Sequence, residues 1–109
     1  SDAEILQKVR ANAEKIYLEQ AAFTLPKSFH DSGLAPSDKT KLVEKWASES
    51  ATCHAEALAL YAETSNVPLA EFVNDDLSFT LEYGSPSTFT GYLDTCLASA
   101  WEAVGARFH

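Results

Sequence analysis

Positive charge nearly vanishes from the second part of this chain. From Trp46 to His109 there is one cation, Arg107, against nine carboxylates, whereas the first 45 residues carry seven of each sign. The whole formal charge of −8 therefore belongs to the C-terminal part. If those residues form one side of a compact fold, that side is an anionic surface suited to a cationic partner. The shortage of cations argues against nucleic acid as a ligand. Phosphate binding needs clustered Lys and Arg, and the few present are interleaved with acids. Long apolar runs are also missing, and none approaches the ~20 residues that a bilayer span requires. No basic segment leads into an apolar run, as a signal peptide would, and there is no initiator Met. A start at Ser1-Asp2-Ala3 fits a mature end left after signal cleavage, the alternative being a trimmed chain.

Glycine and cysteine are sparse in informative ways. The four glycines are scattered at Gly33, Gly84, Gly91 and Gly105, so no glycine-rich phosphate loop exists. The two cysteines, Cys53 and Cys96, are too far apart for a CxxC unit. There is no HxxxH or ExxH pattern, and Asp75-Asp76 lacks the DxDxDG spacing and distal Glu of a calcium loop. A helix cap or solvated turn is the simpler role for that pair. No metal and no cofactor is expected.

What is present suffices for a core. A chain of 109 residues, 46% hydrophobic with two tryptophans, makes one domain over 1–109. Such a chain buries roughly two-thirds of its unfolded surface. Its aromatic content argues against disorder.

The periodicity is helical. From Asp2 to about Phe23, Ile5, Val9, Ile16 and Phe23, with Leu6, Ala13 and Gln20, fall on one face at 100° per residue. Ser1 or Asp2 can cap that helix, and Pro26 ends it by pushing its predecessor out of the α region. A loop from Thr24 to Ala35 follows. Pro36-Ser37-Asp38 opens a longer helix to about Glu63, with Ser37 as its cap and Leu42, Trp46, Cys53, Ala57, Leu60 and Tyr61 on its inner face. Glu49, Glu56 and Glu63 form a row on its flank. Pro68 to about Asn74 predicts a short helix. Asp75 to Ser87 alternates like a strand at Leu77, Phe79 and Leu81 without an evident partner, so an extended loop or one more irregular turn of helix is expected, with a hairpin edge as the alternative. Ser87 to about Phe108 predicts the last helix, with Phe89, Tyr92, Leu93, Cys96, Ala100, Ala103 and Val104 inside and Trp101 and Glu102 turned outward. The expected fold is all-α: a small bundle of three long amphipathic helices plus one short one.

Cys53 and Cys96 each fall mid-helix on a core-facing stripe, placed to meet across a helix–helix contact. A Cys53–Cys96 disulfide is expected, two buried free thiols being the alternative. The bond would favour an oxidising compartment, the bacterial periplasm or the exterior.

No catalytic set assembles. His54 adjoins Cys53, but helical neighbours point about 100° apart and make no dyad. His54, His30 and His109 each read as a surface or capping residue. Glu49 and Glu56 stand two turns apart on a solvated row, roughly 10 Å at the backbone, and read as surface charge rather than a glycosidase pair. Recognition remains. The loops 24–35 and 75–87 are longer than helical connections need and hold Phe29 in the first, Phe79 and Tyr83 in the second. Asp75, Asp76 and Glu82 make the second strongly acidic. An acidic loop with aromatic anchors suits a basic cleft, the alternative being that the aromatics fold back as lids on the core.

Thr90-Gly91-Tyr92-Leu93-Asp94-Thr95-Cys96-Leu97, on a small disulfide-clamped acidic domain, resembles a Gly-Tyr helical stretch in the periplasmic immunity proteins that neutralise type VI secretion amidase toxins. The resemblance implies a protein that is no enzyme itself and occludes the active site of a cell-wall hydrolase with an inserted loop. Asp75, Asp76, Glu82 and Tyr83 would then be contact residues. Competing expectations are a helical carrier of a small apolar ligand or peptide, and a subunit of a larger periplasmic assembly, including a homodimer, with an apolar patch around Trp101 and Phe108.

Overall fold

Prolines and caps divide the chain into helices. The structure, a computed structural model, describes residues 1–105. Helix α1 spans Asp2–Thr24, α2 Lys27–His30, α3 Pro36–Ser65 and α4 Pro86–Gly105, with a 3₁₀ turn at Leu69–Glu71. The all-α bundle expected from the periodicity is what forms.

Ser1 Oγ accepts the Glu4 amide, and Asp2 and Glu4 sit near the positive end of the α1 dipole. The helix stops at Leu25, which is extended (φ −72°, ψ 146°) because Pro26 follows. Where the sequence predicted only loop, Pro26 starts the single turn of α2, which carries the Phe29 ring into the core. Burying that ring contributes roughly 2–3 kcal/mol, enough to hold one helical turn that has no other anchor of comparable size. Ser37 does not cap α3. Ala35 takes that position without a side-chain hydrogen bond, and Pro36 occupies the first turn. Asn66 closes α3 in the left-handed conformation (φ 55°), with its amide on Ala62 and Glu63 carbonyls. The expected helix after Pro68 shrinks to the 3₁₀ turn.

α3 is the common wall, with α1 packed along one side and α4 along the other. At 30 residues it is about 45 Å long, which accounts for the long dimension of the 48 × 23 × 19 Å molecule. Both partners run antiparallel to it. Near one end Val9 and Phe89 meet Leu58, Tyr61, Leu69 and Phe72. Near the other, Ala21, Leu25, Phe29 and Val104 meet Trp46 and Ala47. Ala47, Ala51 and Ala57 are fully buried on α3, and their small side chains let the neighbouring helices approach closely.

Cys53 and Cys96 are bonded, with Cα atoms 5.6 Å apart, tying the middle of α3 to α4. Arg10 performs the corresponding task on the other side. Its Nε donates to Thr52 Oγ1 at 3.0 Å, Nη2 to Ser48 Oγ at 2.6 Å, and Nη1 to Glu14 at 2.9 Å.

Several facing assignments change. On α1 only Val9, Ala13 and Ala21 are buried, while Ile16 is 41% and Phe23 90% exposed. On α4, Tyr92 and Ala103 face out, and Trp101 packs half-buried against the Phe29–Trp46 cluster instead of pointing to solvent. Arg107, Phe108 and His109 lie outside the described residues.

Candidate functional site: the acidic loop and its anchors

The segment between the 3₁₀ turn and α4 is ordered by its own polar side chains. Leu77 N–H bonds to Asn74 carbonyl at 2.9 Å and Asn74 N–H to Ser78 carbonyl at 2.8 Å, turning the chain tightly. Asp76 Oδ1 accepts the Ser78 amide at 3.0 Å as well as the Ser78 hydroxyl, and these bonds hold the Asp76 carboxyl below its usual range. The turn requires Leu77 at φ 68°, a conformation that non-glycine residues adopt at a cost of about 1 kcal/mol or more. Its side chain, packed against the core beside Val73 and Phe79, offsets that cost. A lone antiparallel bridge, Val73 to Phe79, is all that comes of the strand-like alternation.

Beyond the turn, the loop is fastened to α3 by a fully buried side chain. Tyr61 Oη accepts both the Tyr83 and Gly84 amides, each at 3.0 Å. Gly84 lies so close to the end of α3 that a Cβ there would overlap Ser65 Oγ and stand 3.0 Å from Ser65 Cβ. Phe72 adds a ring contact to Tyr61 at 5.4 Å and a tilted one to Tyr83 at 6.4 Å.

This anchoring sorts the residues expected at the site. Asp75, Asp76 and Glu82 are exposed on the loop, and Tyr83 is 48% exposed beside them. Phe79 turns inward, edge-on to Phe89 at 5.4 Å and to His54 at 5.9 Å, so it anchors the loop and offers a partner little surface. Phe29 drops out of the set. It is 1% exposed in the cluster around Trp46, and Trp46 is fifteen residues from Tyr61 along α3, roughly 22 Å.

The charge around the loop is one-sided. Among the described residues after Lys45 there is no Lys or Arg. Glu56, Glu63, Glu71, Asp94 and Glu102 are exposed on α3, the 3₁₀ turn and α4 without an ion-pair partner among the described residues, whereas the partly exposed Glu49 pairs with Lys45 at 3.9 Å. Tyr92 donates to Glu56 at 2.7 Å, and that hydrogen bond raises the phenol's pKa, with desolvation adding to it. Between α3 and α4 a groove of about 310 Å³ runs over the disulfide, bordered by Glu49, Glu56 and Ser99.

His54 is neither a surface nor a capping residue. Its ring stands edge-on to Phe89 at 5.5 Å, Phe79 at 5.9 Å and Tyr17 at 6.3 Å. Burial lowers its pKa and raises that of Tyr17. Among the described residues its Nδ1 has no hydrogen-bond partner, and neither has Oγ of the fully buried Ser50 one turn before it. The sequence held a signal for this placement, because Ala47, His54 and Tyr61 recur every seven residues and so share the inner face. The double acceptor role of Tyr61 and the Arg10 clamp had no comparable signal.

The described residues hold no group of three or more His, Cys, Asp or Glu able to bind a metal, and no helix is long and apolar enough to cross a membrane. What the arrangement can do chemically is present ordered carboxylates, on a fastened loop, to positive charge. Comparison of the chain with known protein families, with curated proteins and with solved structures finds no match.

Proposed function

We propose that this chain is an acidic binding protein of the inhibitor or immunity kind, which docks on a cationic protein, such as a cell-wall hydrolase toxin, and occludes it through the loop 75–83. The observation that carries the reading is the conjunction of a surface without Lys or Arg among the described residues after Lys45 with a carboxylate-bearing loop fixed by Tyr61, Gly84 and the Asp76 turn. A loop held in one conformation loses little entropy on binding. One-signed charge steers a basic partner and raises its association rate. The disulfide fits an exported protein in an oxidising compartment.

The test is a pull-down from native extract with the wild-type chain and with Asp75→Lys/Glu82→Lys. Asp76 is spared because it holds the turn. The expected result is a basic protein retained by the wild type at low ionic strength, released by salt, and not retained by the variant. Equal retention by both chains would remove the loop from the interface.

A further inference from the structure

The sequence marks Ile5, Val9, Ile16 and Phe23 as one apolar stripe of α1, and the fold covers only part of it. Val9 is buried against α3, yet Ile16 is 41% exposed and Phe23, seven residues further along the same face, is 90% exposed. Beside them lies a cleft of about 190 Å³ formed by Val9, Asn12, Ala13, Ile16 and Tyr17 of α1 together with His54. A phenylalanine almost wholly in water next to an open apolar cleft is an unpartnered surface.

Charge selects the occupant. A second copy cannot readily approach through the acidic side, where the described residues after Lys45 bear carboxylates and no Lys or Arg. α1 differs, because it carries Lys8, Arg10 and Lys15 as well as Asp2, Glu4, Glu14 and Glu19. Lys15 and Glu19 are exposed one turn apart, and neither has an ion-pair partner among the described residues. In an antiparallel pair of α1 helices with the two-fold axis at the level of Tyr17, Lys15 of each copy faces Glu19 of the other. The same register brings Phe23 of each copy level with Ala11, at the rim of the other copy's cleft. One axis satisfies both the charges and the exposed ring.

We propose that a second copy of this chain docks here, α1 against α1 in an antiparallel two-fold dimer, with each Phe23 covering the Asn12 rim of the other's cleft. The contact is isologous, so it closes at two copies and does not propagate. The overlapping stretch of α1 is short, which places the interface at the small end of specific contacts, with dissociation in the micromolar range.

The test is sedimentation velocity on the full chain over a concentration series reaching the high micromolar range. The wild type is expected to pass from monomer to dimer. Phe23→Asp, which folds normally because the ring is exposed, is expected to raise the dissociation constant about tenfold or more. Lys15→Glu should weaken the dimer several-fold, and Lys15→Glu/Glu19→Lys should restore it. A monomer at every concentration overturns the proposal. So does a dimer indifferent to Phe23→Asp, or a charge swap that fails to recover what Lys15→Glu lost. If the wild type is monomeric and Phe23→Asp abolishes retention of a basic protein in the pull-down, the face belongs to that partner and the second copy is excluded.

Discussion

Tyr61→Phe isolates the fastening of the acidic loop. The substitution keeps the buried ring and its edge contact with Phe72 at 5.4 Å, and deletes only the oxygen that accepts the Tyr83 and Gly84 amides at 3.0 Å each. A hydrogen bond contributes a net of about 0.5–1.5 kcal/mol, and an amide left buried without a partner costs about 1–3 kcal/mol. Residues 83 and 84 are exposed, so the freed amides can rehydrate and the low end applies. The expected loss is about 1–2 kcal/mol for the pair. Urea unfolding followed by circular dichroism reads the global part. Native-state hydrogen exchange at Tyr83 and Gly84 reads the local part, where protection should fall about tenfold for each 1.4 kcal/mol. Unchanged protection at both amides would refute the fastening. A loss beyond about 4 kcal/mol would show that ring packing, not the shared acceptor, had been disturbed.

The disulfide offers the largest single effect. Opening a loop with a sequence separation of 43 residues removes roughly 4 kcal/mol in the chain-entropy model, so Cys53→Ala/Cys96→Ala should lower the thermal midpoint by about 15 °C or more, and a drop of a few degrees would count against that account. Gly84→Ala should cost about 1–3 kcal/mol through overlap with Ser65, and adding Ser65→Gly should recover most of it, since the next atom, Ser65 Cα, lies at an ordinary 3.6 Å; two additive losses would mean that the overlap is not the cause. His54 makes stability depend on pH. Its folded pKa is lowered by burial, so the unfolded chain takes up the proton first, and stability held above the ordinary His value of about 6.5 is lost as pH falls through it toward the folded value. Urea midpoints of wild type and His54→Phe should diverge with pH in that window, and parallel curves would contradict the sign.

Much of this fold was legible because helices announce themselves by period. The three long amphipathic stretches, the stop at Pro26 and the meeting of Cys53 with Cys96 all follow from residues spaced at 3.6 and from mid-helix positions on inner faces. Phe29 was misplaced because a single helical turn has no period to detect, and because an aromatic in a polar loop looks the same whether it faces solvent or core. The acidic half of the candidate site was readable as composition. Its order was not, since it depends on a tyrosine 22 residues upstream supplying an oxygen to two backbone amides, a contact without any local pattern.

Periodicity gives the direction of an apolar stripe but not how much of it the fold will cover. On α1 the stripe from Ile5 to Phe23 spans a broad arc, and a neighbouring helix can bury only part of an arc. Which part is set by polar groups. Arg10 reaches across to Ser48 and Thr52 of α3 and so fixes the rotation of α1. With Arg10 held there, Val9, Ala13 and Ala21 turn inward and Ile16 and Phe23 turn out. Ile5 lies at the same helical angle as Phe23, five turns away, and packs against the core, so the clamp sets the rotation while position along α1 leaves Phe23 uncovered. Arg10 and Phe23 stand about 140° apart around α1, so a rotation that buried Phe23 would swing the guanidinium away from Ser48 and Thr52 and break the hydrogen bonds, with their charged donor, that join the two helices.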